Sequence, residues 1–154
     1  MALIDNIVFY QKYDENANNT VADSVSGFNG TWQVANGWTT GIINSAGDFS
    51  GSNYVSSGSV ALGLGTSITI SLWVKPTTLT SGSYYCFFSF GGYIGGGFIF
   101  QRAGDSGNIL RVAWNGTDYY DGPVFTATGS WKHIVIVISA GVPQTFYVNN
   151  VSVR

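Results

Sequence analysis

Residues 67–75 read SITISLWVK and alternate without a break. Ile68, Ile70, Leu72 and Val74 fall on one face, and Thr69, Ser71, Trp73 and Lys75 on the other. A period of two over nine residues is the pattern of a strand with one face on a core. The segment 131–139, WKHIVIVIS, is apolar on both faces and reads as a central, doubly covered strand. Around these two lie further strand signals: 6–13 (NIVFYQKY), 83–90 (SYYCFFSF) and 97–103 (GFIFQRA). Residues 108–114 (NILRVAW) lead through Asn115-Gly116 into TDYYDG, a strong short-range hairpin signal. The last strands, within 144–153, turn on Asn149-Asn150. No segment keeps helical periodicity over three turns without a Gly, Pro or Asn/Ser/Thr cluster breaking it. Many short strands with glycine-rich turns predict an all-β antiparallel sandwich or barrel. No linker or composition shift divides residues 1–154, so the chain reads as one domain.

Composition narrows the function. Hydrophobic residues are 45% and aromatics 16% of the chain, enough for a core. Charged residues are 9%, against about 25% in an average domain. The surface is therefore Ser, Thr, Asn and Gly, which suits carbohydrate contact or packing into an assembly. The net charge is −2, and the six basic residues never cluster. That excludes the basic stripe needed for nucleic acid and the basic amphipathic helix of membrane-surface binding. No run approaches the roughly 18 apolar residues of a membrane span. The opening MALIDNIVFY has no basic leader, and Asp5 interrupts its apolar run, so no signal peptide is read. With Met1 as the native start, synthesis is cytoplasmic. Cys86 is the one cysteine, so no internal disulfide forms, and it reads as a small buried hydrophobe.

Taken in order, five stretches resemble the laminin-G-like branch of the concanavalin A-like jelly rolls. They are FYQKYDENANNTVADSVSGFNGTW (9–32), GWTTGIINSAGDFSGSNYV (37–55), ITISLWVKP (68–76), GSWKHIVIVIS (129–139) and TFYVNNVSV (145–153). The resemblance runs from about residue 7 to residue 153 and implies a jelly-roll β-sandwich. Two departures stand out. Ser50 occupies a place where the family often has Asp before Gly. Such domains also usually continue into a closing strand carrying an Asp-Glu pair, and this sequence shows none. Either the chain is cut at Arg154, or a neighbouring chain supplies the missing edge.

The resemblance includes glucan hydrolases, but hydrolysis of a glycoside ordinarily needs two carboxylates flanking the bond. Glu15 is the only glutamate, and no strand carries carboxylates at i, i+2. A Ser-His-Asp triad would have to use His133, which lies in an apolar run and reads as an interior imidazole. The family often holds one structural Ca²⁺. Asp23, Asp48 and Asn53 are the oxygen ligands on offer here, although both aspartates also read as turn residues. Glycan binding is the leading expectation. WNGTDYYDG (114–122) is the densest aromatic-polar stretch, with Trp114, Asn115, Asp118, Tyr119, Tyr120 and Asp121 as candidate contacts. Tyr93 and Trp38 are secondary candidates, and Trp32, Trp73 and Trp131 read as core. The expected function is non-catalytic recognition of a glycan or cell surface, as a virion decoration or tail-fibre component. The alternatives are a purely structural assembly protein that self-associates and, remotely, a glycoside hydrolase.

Overall fold

The computed structural model describes residues 6–34, 37–58, 67–91, 98–104, 107–114, 118–139 and 144–153. All its strand pairings are antiparallel, and no α-helix occurs among the described residues. The chain forms two compact units, Met1–Gly63 and Leu64–Arg154.

The first unit holds β1 (Thr20–Val21), β2 (Gly30–Trp32), β3 (Trp38–Thr40), β4 (Ser45–Gly47) and β5 (Val55–Ser56). β1, β2 and β5 form one sheet in that order, and β3 pairs with β4 as a hairpin. Its packing centre is aromatic. Trp32 is buried and meets Tyr13, Trp38 and Phe49 at ring-centroid distances of 6.2, 5.7 and 5.0 Å. Trp32 is a core residue, as expected from its strand position. The strand expected over residues 6–13 is not formed as such. Only an isolated bridge joins Gln11 to Asp23, and Tyr13 has φ +58. The backbone N–H of Tyr10 goes to the Asp23 carboxylate (2.9 Å). A side chain thus satisfies a donor that a ladder would otherwise take.

The second unit is a sandwich of two four-stranded sheets. One contains β6 (Ser67–Val74), β11 (Lys132–Ser139), β12 (Thr145–Val148) and β13 (Val151–Val153), in the order β13-β12-β11-β6. The other contains β7 (Tyr85–Phe90), β8 (Phe98–Ala103), β9 (Ile109–Trp114) and β10 (Asp118–Val124), in the order β10-β9-β8-β7. Their facing sides share one core of Ile70, Ile134, Ile136, Ile138 and Phe146 from the first sheet, with Phe100, Leu110 and Val112 from the second. Phe125, just past β10, joins them. The β6 alternation holds: Ile68, Leu72 and Val74 pack against this core beside Ile70.

β11 is central, paired with both β12 and β6, as its apolar run predicts. Its outer face departs from expectation. Ile134, Ile136 and Ile138 are buried, while Val135 and Val137 are only half-buried. The hairpin β12–β13 turns on Asn149 and Asn150, at φ +50 and +65. Asparagine tolerates that left-handed region better than most residues, and a two-residue hairpin turn of this hand requires it. β9 and β10 pair as the Asn-Gly signal predicts, and the turn residues 115–117 lie outside the described residues.

One glycine is set by close approach. The β9–β10 register breaks between Asp121 and Val124. A Cβ on Gly122, inside that break, would lie 2.8 Å from the Phe146 ring. Phe146 is buried and cannot yield freely. Gly122→Ala is therefore expected to destabilise the second unit by about 1–3 kcal/mol through overpacking, measured as a lower urea midpoint.

Candidate functional site

The outward positions of β6 are Ser67, Thr69, Ser71 and Trp73, and all four are exposed. Strand alternation puts the apolar residues inward and leaves these on one surface. Antiparallel register then brings in their neighbours. Trp73 stands opposite His133, and Ser71 opposite Val135. Val135 stands opposite Tyr147, and Tyr147 opposite Ser152. Thr69, Val137 and Thr145 make the next row, and Ser67 faces Ser139. The result is a sheet surface of aromatic rings and hydroxyls.

Two contacts fix its aromatic end. The Trp73 and His133 rings stack, with centroids 4.9 Å apart and planes at 24°. His133 Nε2 lies 2.8 Å from Ser71 Oγ, with the donor set by the imidazole tautomer. The backbone of His133 is held as well, donating to Asn149 Oδ1 (3.0 Å) and accepting from Asn149 N–H (2.9 Å). The imidazole is thus clamped by a ring, a hydroxyl and the β12–β13 turn. Further along, Ser67 Oγ donates to Ser139 Oγ (3.1 Å). Each of these hydroxyls keeps lone-pair capacity for a further bond.

This geometry corrects two expectations. Trp73 is not core: it is 51% exposed. His133 is not interior: it lies on the outer face beside Ser71. The reason is parity. Both residues are out of step with the isoleucines that enter the core. The sequence held that signal, because Trp73 alternates with Thr69 and Ser71. Trp131 is half-buried, and Trp38 is half-buried with its Nε1–H on the Asn18 carbonyl (3.3 Å). Cys86, expected to be a small buried hydrophobe, is instead an exposed free cysteine on β7, where partial desolvation by its neighbours still pushes the thiol pKa up. Ser71 and His133 resemble two members of a nucleophilic triad. No carboxylate bonds to the imidazole among the described residues, and a triad needs that third group.

The stretch 114–121 is placed only in part. Asp118 stands opposite Trp114, and Tyr119 opposite Ala113. Asn115 lies outside the described residues, as does Tyr93. Tyr120 is 36% exposed and opposite Val112. Asp121 is held by Arg111 in a fork, with Nε on Oδ1 at 2.6 Å and Nη2 on Oδ2 at 3.1 Å. Tyr120 and Asp121 are adjacent in one strand, so their side chains leave on opposite faces.

The calcium candidates separate. Asp23 is buried, and its carboxylate accepts four backbone N–H groups. Tyr10 and Val25 bond Oδ1 at 2.9 and 3.1 Å, and Ser26 and Phe28 bond Oδ2 at 3.1 Å each. Burial raises its pKa, but these four donors together outweigh it and hold the group below the ordinary carboxylate value. Asp48 is exposed and caps its own loop. Its Oδ1 takes the Ser50 N–H (3.0 Å), and its carbonyl takes the Asn53 side-chain amide (3.3 Å). Asp48 and Asn53 are therefore neighbours, whereas the oxygens of Asp23 are committed to the backbone. No group of three His, Cys, Asp or Glu arranged for a metal occurs among the described residues.

Searches of curated proteins and of solved structures each returned no match. A family model does match. Laminin_G_3, described as the concanavalin A-like lectin/glucanases superfamily, aligns with residues 49–154. That span contains the strands of both sandwich sheets, while the stretches 9–32 and 37–48 lie before it. More than half of the chain is covered, and the chain belongs to the concanavalin A-like lectin/glucanase superfamily.

Proposed function

We propose that this protein is a non-catalytic recognition module that binds a glycan on the outer face of the β13-β12-β11-β6 sheet. The observation that carries the reading is Trp73, an indole half exposed on a rigid strand and braced by the His133 ring. An aromatic face stacks on the C–H face of a sugar. Hydroxyls at Ser71, Thr69 and Tyr147 supply hydrogen bonds around it. The ring is already ordered by its stack, so less rotamer freedom is lost on binding. Superfamily membership supports a carbohydrate- or ligand-binding domain. The stretch 114–121 is a second candidate contact region, through the exposed Asp121 on the outer face of its sheet.

Trp73→Ala is expected to weaken oligosaccharide binding roughly tenfold or more, read by calorimetric titration of ligands found on a glycan panel. Trp73→Phe should recover part of the affinity. Binding unchanged in Trp73→Ala would refute this site.

A second reading, a structural component of an assembly such as a virion surface, draws on the sheet edges. Among the described residues β6 pairs only with β11, and β13 only with β12. Such edges can accept a strand from another chain. Light scattering on the purified chain tests it: an oligomer supports this reading and a monomer at high concentration opposes it.

A further inference from the structure

The platform is asymmetric in charge. Residues 64–154 contain three acidic side chains, Asp105, Asp118 and Asp121. Asp118 and Asp121 lie on β10 of the opposite sheet, and Asp121 is committed to Arg111. Strands β6, β11, β12 and β13 carry no Asp or Glu. Their ionisable nitrogen groups are Lys132 and His133, and Lys75 follows β6 directly. Lys132 is directed elsewhere, with Nζ on the Thr126 carbonyl (3.3 Å) and over the Phe125 ring (5.0 Å).

Lys75 is different. It is exposed and two residues past Trp73. Pro76 follows it, and the residue before a proline is held extended. The β6 alternation therefore carries on to Lys75 and places it on the face of Trp73, about 7 Å along the strand. An ammonium thus follows the indole along the same face of the strand, and the four strands of this sheet carry no carboxylate.

We infer that the platform selects a sugar carrying a carboxylate, with the ring stacked on the open face of Trp73 and the acid group directed to Lys75. This rests on the glycan reading above and specifies its ligand class by charge complementarity. The contribution is that of an exposed ion pair, so it tunes selection rather than creating binding. The stacking and hydroxyl contacts supply the larger share.

The test uses the full chain and matched ligand pairs. Oligogalacturonate, oligomannuronate and hyaluronan fragments are each titrated beside their carboxyl-reduced neutral forms. At least one acidic member is expected to bind about three- to tenfold tighter than its neutral partner at low ionic strength. That preference should shrink as salt is raised and fall further in Lys75→Gln, read as the ratio of acid to neutral affinity within each protein. Equal binding of acid and neutral forms, both lost in Trp73→Ala, would overturn the charge selection and leave the platform standing. No Trp73-dependent binding by any pair would overturn the platform and this inference with it.

Discussion

Phe100→Ala is expected to cost the sandwich about 3–5 kcal/mol, the range for removing a buried phenylalanine. Phe100 has no exposed surface and projects from β8 between the sheets. Its ring meets Phe87 at 5.5 Å and Phe146 at 6.4 Å, so one side chain touches aromatic partners from both sheets. Truncation removes the transfer free energy of the ring and leaves a cavity that two hydrogen-bonded sheets cannot collapse to fill. Denaturant unfolding should show a much lower midpoint with little change in slope. A loss under about 1 kcal/mol would mean that the sheets are not joined through this ring. The consequence reaches the platform, because Trp73 is held in place by a strand whose other face is anchored in that core.

Asp23→Asn is expected to destabilise the first unit by about 2–4 kcal/mol. The carboxylate accepts four backbone N–H groups from the 8–10 segment and the 25–28 turn. An asparagine keeps one acceptor oxygen and turns an amide against two of those donors. The pH dependence has a definite sign. The folded group titrates below its ordinary value of 3.8. Its contribution is therefore complete above the unfolded value and lost as the pH falls through the lower, folded one. Amide exchange at Tyr10, Val25, Ser26 and Phe28 reports it directly. Wild-type protection at these sites should fall at acid pH, and in Asp23→Asn it should be low throughout. Protection equal to wild type in the variant would show that other contacts hold this turn.

The strands of the second unit and two of its hairpins were legible in the chain, but the pairing of β6 with β11 was not. Alternation over 67–74 marks β6, the β-branched run marks β11 as central, and Asn-Gly and Asn-Asn mark the two hairpins. Each is a local property, since period, branching and turn chemistry act between near neighbours. The strand read over 6–13 shows the limit: its propensity is real, but the Asp23 carboxylate captures the Tyr10 donor and Tyr13 turns to positive φ.

For the site, the sequence pointed to 114–121 and read Trp73 and His133 as interior, and three-dimensional pairing put both on one exposed face. Trp73 and Lys75 are two apart on one strand, and that much is written in the chain. Ser71, His133 and Tyr147 come from three strands and are assembled only by register, where a shift of one residue would send every one of them to the opposite face. Register is a long-range quantity, set by the isoleucines of β6 and β11 entering the core together. Local sequence determined the strands and their inward faces. Burial of that core decided that the opposite face, with its exposed indole, would be the surface available to a ligand.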